Sequence, residues 1–514
     1  NGAELPSADP RRRAAQLDLI PSAMIDRVVV SKTFTPDLQG GFAGGSVNIV
    51  TKSFPAKAFT TMSAGMGYNT ISTGNERFLT APGSGTDWLG MDDGLRTLPS
   101  QVFIPSTILD RPTPGTPDIL NQYEPLRIEA FGAFRANQPE LRARRLEQAT
   151  AYDNALRSFK TGTFAPTGEA PGPNRNFALA SGDTSWLFGH RVGWFASVNY
   201  EQKTRFEEGA FRGRYNSEPD TYDGGPLQRL SEFNVDRAVQ ENQWGTVATL
   251  AYELMPGHEL GFNFVRNQNG TAIGSIQNGR VFGFDQFNPV ETSRSRLNIV
   301  SWQERYLQNY QFKGHHVFGE VNDLQADWLL SLASTGEDTP DLRIFPMRLD
   351  PQADGTYIIE ARNPDLPNVN FPTRLFRESS EENGNFKADL TFPFTPGNGL
   401  ESALKGGIFT SGSTRKLTEH RFSYLVPSGT DDEPSDYANS VLDFNGQRYT
   451  EVAAPGGRRR FQFSEPFFDT SFIGPYGYNG RQVIRAAYLM GDFFVLPKLR
   501  LVGGARAETT RLSI

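Results

Sequence analysis

The chain contains no cysteine. That excludes a disulfide framework, a thiolate zinc site, an iron–sulfur cluster and a cysteine nucleophile. It has no run of 18 apolar residues either, so no transmembrane helix is written in it. Basic residues are not in excess: 51 Lys and Arg stand against 58 Asp and Glu, a net charge of -7. Nucleic-acid binders carry basic surfaces, so nucleic acid is not an expected partner. Histidine is scarce. His190, His258, His315, His316 and His420 show no H-E-x-x-H spacing. His315 and His316 are adjacent on a segment that reads as a strand, so they point to opposite faces and make a poor chelate. The glycine run Gly40-Gly41-Phe42-Ala43-Gly44-Gly45 lacks a following Lys-Ser/Thr and opens no helix, which excludes a P-loop. No G-x-S-x-G elbow and no ordered Ser–His–Asp set occur. Acidic clusters occur at Glu207-Glu208, Glu381-Glu382 and Asp431-Asp432-Glu433-Asp436; the last could offer oxygens to Ca²⁺, but no EF-hand spacing is present and it reads as a solvated loop. No enzyme activity, metal or cofactor is expected.

What is present is glycine, proline and aromatic side chains: 51 Gly, 34 Pro, 39 Phe, 16 Tyr and 6 Trp among 514 residues. Mean hydropathy is -0.47. So many aromatics argue against disorder. A polar, aromatic-rich chain without long apolar runs is either a soluble β-protein or a membrane β-barrel, whose alternating strands never read as hydrophobic.

Residues 1–57 are distinct. Met24–Val30 and Ser46–Val50 are β-branched runs that read as strands. Between them, Gly40, Gly41, Gly44 and Gly45 mark a turn, with positive φ expected at Gly44 and Gly45. From about residue 58 the sequence alternates with period two. On the segment from Gln243 to Leu254, one face holds Trp244, Thr246, Ala248, Leu250, Tyr252 and Leu254, and the other Gln243, Gly245, Val247, Thr249, Ala251 and Glu253. Eleven such strands are expected: 58–69, 176–188, 191–206, 242–255, 259–271, 298–316, 324–337, 375–394, 401–418, 482–496 and 498–512.

The connections between them alternate in length. Tight turns are expected at 189–190, 256–258, 318–323, 395–399 and 497. Long connections run over 70–175, 207–241, 272–297, 338–374 and 419–481. Loops longer than about 15 residues are uncommon in compact soluble domains. Strict alternation puts the long loops at one end and the tight turns at the other, which is the asymmetry of an outer-membrane barrel. In hydrocarbon every backbone polar group must pair within the protein, which closed sheets achieve. The region 139–159 reads as a helix, charged on most faces and solvated.

Four stretches resemble TonB-dependent outer-membrane receptors. Residues 1–21, with Leu5-Pro6-Ser7-Ala8-Asp9-Pro10-Arg11-Arg12-Arg13, are similar to the middle of the plug domain of one branch of that family. The stretch from Val30 through Thr35-Pro36-Asp37 to Gly44-Gly45-Ser46-Val47-Asn48-Ile49-Val50 resembles the plug's C-terminal signature, and is the most specific match. Gly85-Thr86-Asp87-Trp88-Leu89-Gly90 with Asp92-Asp93-Gly94-Leu95-Arg96 is similar to a motif of the first external loop. Ala487–Asp492 with Leu499–Arg506 resembles a strand–turn–strand pair of these barrels.

The resemblance implies an all-β fold, a transmembrane antiparallel β-barrel holding 11 of the family's 22 strands, with part of an N-terminal mixed α/β plug. Residues 1–57 would be the C-terminal part of the plug and 58–514 the N-terminal half of the barrel. The plug motif would comprise Gly40, Gly41, Gly44, Gly45 and Asn48. A signal peptide, a TonB box, the first half of the plug and the terminal aromatic strand are missing, so the sequence is expected to be a fragment.

The implied function is active uptake of a scarce nutrient across the outer membrane of a Gram-negative cell. The nutrient would be a siderophore, a cobalamin, an oligosaccharide or a peptide. Implied partners are the periplasmic TonB complex, outer-membrane lipid and the nutrient. Loop aromatics and the Arg458-Arg459-Arg460 run are the candidate ligand contacts, chiefly Trp88, Phe284, Arg458, Arg459 and Tyr476. A passive channel or adhesin barrel, and a secreted β-rich carbohydrate-binding protein, are the alternatives.

Overall fold

The computed structural model describes residues 2, 6, 25–42, 44–51, 55, 57–102, 132–159, 163–216, 227–282, 294–361, 371–397, 399–440, 449–463, 467–469 and 476–514. Strands β1 (Ile25–Ser31) and β2 (Ser46–Thr51) form a two-stranded antiparallel pair. They are followed by β3 (Phe59–Gly67), by the short pair β4 (Leu79–Thr80) and β5 (Thr167–Gly168), and by helix α1 (Pro139–Arg157) within the first long connection. Then come β6 (Asn174–Leu187), β7 (His190–Asn216), β8 (Gln228–Met255), β9 (His258–Val281), β10 (Arg294–Phe318) and β11 (Leu324–Pro351). The small β12 (Tyr357–Glu360) precedes β13 (Thr373–Phe394) and β14 (Ser402–Leu425). The last long connection carries β15 (Gly429–Asp431), helix α2 (Pro434–Ser440), β16 (Tyr449–Ala454), β17 (Arg458–Phe463) and β18 (Phe467–Asp469). β19 (Tyr476–Leu496) and β20 (Leu499–Ser513) complete the order.

Among the described residues fourteen strands make one antiparallel sheet; eleven follow one path, β3-β6-β7-β8-β9-β10-β11-β13-β14-β19-β20, and β12, β15 and β18 pair off it. Each strand of the path lies on one of the eleven segments expected from alternation, and each pairs with its neighbours along the path. β3 and β20 end the path, and among the described residues no ladder joins them. The fold is therefore all-β, built on a large antiparallel sheet.

The strands run further into the long connections than the alternation suggested. β7 continues to Asn216, β8 starts at Gln228, β9 reaches Val281 and β11 reaches Pro351. Backbone pairing needs no apolar side chain, so a ladder continues where the period-two signal fades. The tight turns are built as expected. Phe188 and Gly189 both take positive φ between β6 and β7, the conformation that matches the strand twist of a two-residue hairpin.

The two faces of the sheet differ sharply. Thr249, Asn263, Gln311, Ser331, Asn385 and Ser411 are register partners across β8, β9, β10, β11, β13 and β14, and all are buried. Each is followed or preceded in sequence by a residue of the opposite face: Leu250, Phe262, Phe312, Leu330, Phe386 and Thr410. In that second row Leu250 is 49% exposed, Phe312 42% and Leu330 37%. The polar face is hidden and the apolar face is open.

Further toward the long-connection end, the apolar face is covered. Residues 69–102 lie over β7 to β10, where Phe78 stacks on Phe206 and Arg96 lies over Trp302. Helix α1 lies over the ends of β11, β13 and β14. Its Ala149, Tyr152, Ala155 and Leu156 join Phe345, Met347, Phe376, Phe422 and Tyr424 in the largest hydrophobic cluster. The expectation of a solvated helix is thus corrected. The charges of α1 mask a buried stripe, with Arg142 drawn outward to Glu451 at 2.7 Å.

Candidate functional site

The polar face carries a docked segment. Residues 36–42, between β1 and β2, lie against β14 and β20. The Lys405 ammonium pairs with Asp37 at 3.2 Å, and Thr35 Oγ1 donates to the same carboxylate at 2.5 Å. The Gly40 amide donates to Glu508 at 3.1 Å, and Arg506 donates to the Pro36 carbonyl at 3.4 Å. Arg506 also donates to Glu508 at 2.8 Å, which holds the acceptor for Gly40 in place. At the opposite edge of the sheet, Thr184 donates to the Pro55 carbonyl at 2.8 Å. Burial alone would raise the Asp37 carboxyl, but the Thr35 hydroxyl and the Lys405 charge hold it below the usual carboxylate range.

The glycines of this segment have different roles. Gly44 has φ 106, a conformation that a β-branched residue resists. Gly45 does not have positive φ, which corrects the expectation for it, and a Cβ there would meet the Ser31 carbonyl at an ordinary 3.7 Å. Gly40 makes a close approach, and a Cβ there would sit 3.0 Å from Glu508 Oε1, so the Glu508 carboxylate would have to shift. A Cβ on Gly41 would meet open space. Asn48 stands opposite Val29 in the β1–β2 pair, and its Oδ1 accepts from the Gly2 amide at 2.9 Å.

Near the docked segment, the polar face holds a cavity of about 280 Å³ at the tight-turn end, lined by Glu259, Lys313, His315, Asp327, Lys387 and Asp389 among others. Its polar groups are paired: His315 with Asp327 at 2.7 Å and Lys387 with Asp389 at 3.0 Å. As the alternation implied, His315 and His316 point to opposite faces, His316 toward His258.

The candidate ligand contacts are dispersed. Trp88 sits in a 3-10 turn (Asp87–Leu89), 53% exposed, with its ring 6.5 Å from that of Tyr200. Arg459 lies on β17, held by Glu451 at 2.9 Å and paired through its backbone with Phe134. Arg458 is beside it, opposite Ala454. Tyr476 opens β19 opposite Glu419. Phe284 lies outside the described residues. Among the described residues no contact brings Trp88 to the arginines.

The motif around Trp88 has an architectural role. Arg96 is buried and bound by Asp87 at 2.7 Å and Asp92 at 2.8 Å. Asn242, Trp244 and Gln268 donate to the carbonyls of Asp87, Leu89 and Gly90 at 2.9, 2.9 and 2.8 Å. Gly90 has φ 69 and packs directly on Gly270, so the loop backbone rests on the sheet with no side chain between them. The Glu304 carboxylate beneath it accepts hydrogen bonds from the Trp302 indole at 2.8 Å and from the Asp92 amide.

Sequence reasoning missed Asp37, Lys405, Arg506 and Glu508. Asp37 and Lys405 are 368 residues apart and Gly40 and Glu508 are 468 apart, so no local pattern joins them. Among the described residues no group of three or more His, Asp or Glu could hold a metal ion. No helix of the described residues is long and apolar enough to cross a membrane, which bears on helices and not on strands. No family model, no curated protein and no solved structure matches the chain.

Proposed function

We propose that this chain is part of a TonB-dependent outer-membrane receptor that takes up a scarce nutrient. The eleven-strand path of its sheet would be about half of a barrel wall, and residues 1–57 part of the plug. The observation that carries the reading is the inverted burial of the sheet, with amides and hydroxyls hidden and Leu and Phe in the open. A half-solvated sheet in water does the reverse. In an outer membrane the apolar row meets lipid and the polar row faces the lumen.

The apolar band also drifts along the register. On β8 and β10 it includes Leu250 and Phe312. That register row continues through Leu330 and Phe386 and ends in Thr410, Arg485 and Thr509. On the later strands the exposed apolar residues have moved toward the tight turns, to Leu404, Ile408, Leu489 and Leu501. A band perpendicular to a barrel axis must drift in this way when strands tilt.

The docked segment favours a receptor over an open channel, because it occupies the face that would line the pore. In operation, nutrient binds from outside, and the TonB complex pulls on the plug from the periplasm. The contacts of Asp37, Pro36 and Gly40 with the wall are then the ones to break. The siderophore, cobalamin, oligosaccharide and peptide classes all remain compatible with this reading.

The test is gel migration of the full-length gene product before and after heating in detergent. A heat-dependent shift and retention in the outer-membrane fraction are expected. A protein soluble without detergent and free of any shift overturns the membrane reading. A barrel whose uptake survives loss of TonB overturns the receptor reading alone.

A further inference from the structure

Three side chains at the tight-turn end of β9, β10 and β11 form a chain of hydrogen bonds on the apolar face. The Trp328 indole N–H donates to His316 Nε2 at 3.2 Å. Indole nitrogen is a donor only, so the direction of this bond is fixed. A neutral His316 therefore carries its proton on Nδ1. That proton points at His258 Nδ1, 3.2 Å away. His258 Nδ1 must accept it, and a neutral His258 then carries its own proton on Nε2. One arrangement of protons satisfies all three groups, and it requires both imidazoles to be neutral.

The surroundings are built for this contact. Gly314 lies opposite Trp328, and a Cβ there would collide with the indole nitrogen. Glycine thus lets the indole lie across β10 and reach His316. The His258 ring also meets Phe318 edge-on at 5.2 Å. His258 and His316 are the last register pair of β9 and β10, and the next amide, Val317, donates to the Gly257 carbonyl at 2.8 Å. The charged groups of these strands are engaged on the opposite face: Asp327 with His315 at 2.7 Å, and Glu253 and Glu259 with Arg191 at 3.2 and 3.5 Å. Glu320 and Asp323 belong to the turn that follows β10. Among the described residues Asp327 is the carboxylate whose charge reaches His316, and it does so through space while bonded to His315.

We propose that Trp328, His316 and His258 form a proton-ordered clamp across three strands, closed when both histidines are neutral and opened by acid. An additional proton has no place in it. On His316 it must sit on Nε2, facing the indole N–H. On His258 it must sit on Nδ1, facing the Nδ1–H of His316. Each placement removes one of the two hydrogen bonds, so the turn ends of β9 and β10 loosen as the pair charges. The clamp depends on hydrogen-bond direction alone and does not rest on the receptor reading.

The test uses the full-length protein in detergent with ¹⁵N-labelled histidine. At pH 7.5, nitrogen–proton correlation should show His316 as the Nδ1–H form and His258 as the Nε2–H form. Trp328→Phe should release His316 from that tautomer while His420 is unchanged. Hydrogen-exchange protection of the Val317 amide should fall about tenfold between pH 7.5 and 5, the scale of one lost hydrogen bond. In His316→Phe, which removes both hydrogen bonds, that pH dependence should disappear. A His316 in the Nε2–H form at pH 7.5 overturns the proposal. So does Val317 protection that ignores pH, or tight Zn²⁺ binding by the pair at neutral pH, since a metal would require both Nδ1 atoms bare.

Discussion

Trp302 and Phe312 lie on the same face of the same strand, and their surroundings are opposite. Trp302 is 2% exposed beneath Arg96 and the loop that holds it, whereas Phe312 is 42% exposed beside Phe262 of the next strand. β13 repeats the contrast. Phe376 is buried under Phe159, and Phe386, further along the same face, is 36% exposed. One alternation thus serves two kinds of apolar surface. Near the long connections it forms an ordinary protein core between sheet and cap. Near the tight turns it lies open among the described residues, and the proposed reading gives it lipid as its partner.

The strongest way to break this comparison is to empty the core at one end. Phe345 is fully buried between Phe164 and Tyr437, so Phe345→Ala should cost about 3–5 kcal/mol of cap stability. Protease sensitivity of α1 would report it, with the strands near Phe312 unaffected. The converse change is Leu330→Arg in the exposed row. At a bilayer midplane it should cost about 2–4 kcal/mol, against less than about 0.5 kcal/mol for an exposed site in water. Unfolding of the full-length protein from lipid vesicles measures the difference, and a negligible effect there removes the lipid reading of that face.

Smaller effects separate the docked segment from the wall. Gly44→Val should destabilise the β1–β2 pair by about 1–3 kcal/mol, because φ 106 is nearly closed to valine. Gly45→Val should have a clearly smaller effect, and equal losses in thermal unfolding would contradict the distinction. Asp37→Asn removes the pair with Lys405 and should cost about 1 kcal/mol at pH 7. The Asp37 carboxyl lies below its ordinary 3.8, so its stabilisation is complete above that value and is lost as pH falls through the lower folded value. Hydrogen exchange at the Gly40 amide should therefore separate the variant from the parent at pH 7, with the difference shrinking as pH falls below 3.8.

Part of this architecture was legible before any coordinates. The strand segments followed from period-two alternation, and their meander order from the tight turns between them. The far ends of the strands were not legible, because ladder hydrogen bonds continue through polar sequence. Nor was the cap. In β11, Asp341 takes φ 54 and interrupts the register between Thr339 and Leu342. That irregularity reverses the parity of the strand, so Phe345 joins the face of Leu330 although one number is odd and the other even. The same Asp341 is buried with Arg374 at 2.8 Å and Arg343 at 3.3 Å, an ion cluster under α1 that no local spacing announced.

The docked segment was only half legible. The glycines marked a turn, and the conformational need of Gly44 could be anticipated from residue type. What Asp37 and Gly40 would touch could not.

By itself the sequence determined the eleven strands of the sheet's main path, their order, and which side chains share a face wherever the ladder is regular. These are local properties, set by the two-residue repeat of a strand and by turn residues. The tertiary structure alone decided which face is hidden, where the cap rests and which wall residues hold the docked segment. Those outcomes depend on groups hundreds of residues apart meeting at hydrogen-bond distance, and on one irregular residue that shifts everything beyond it to the other face.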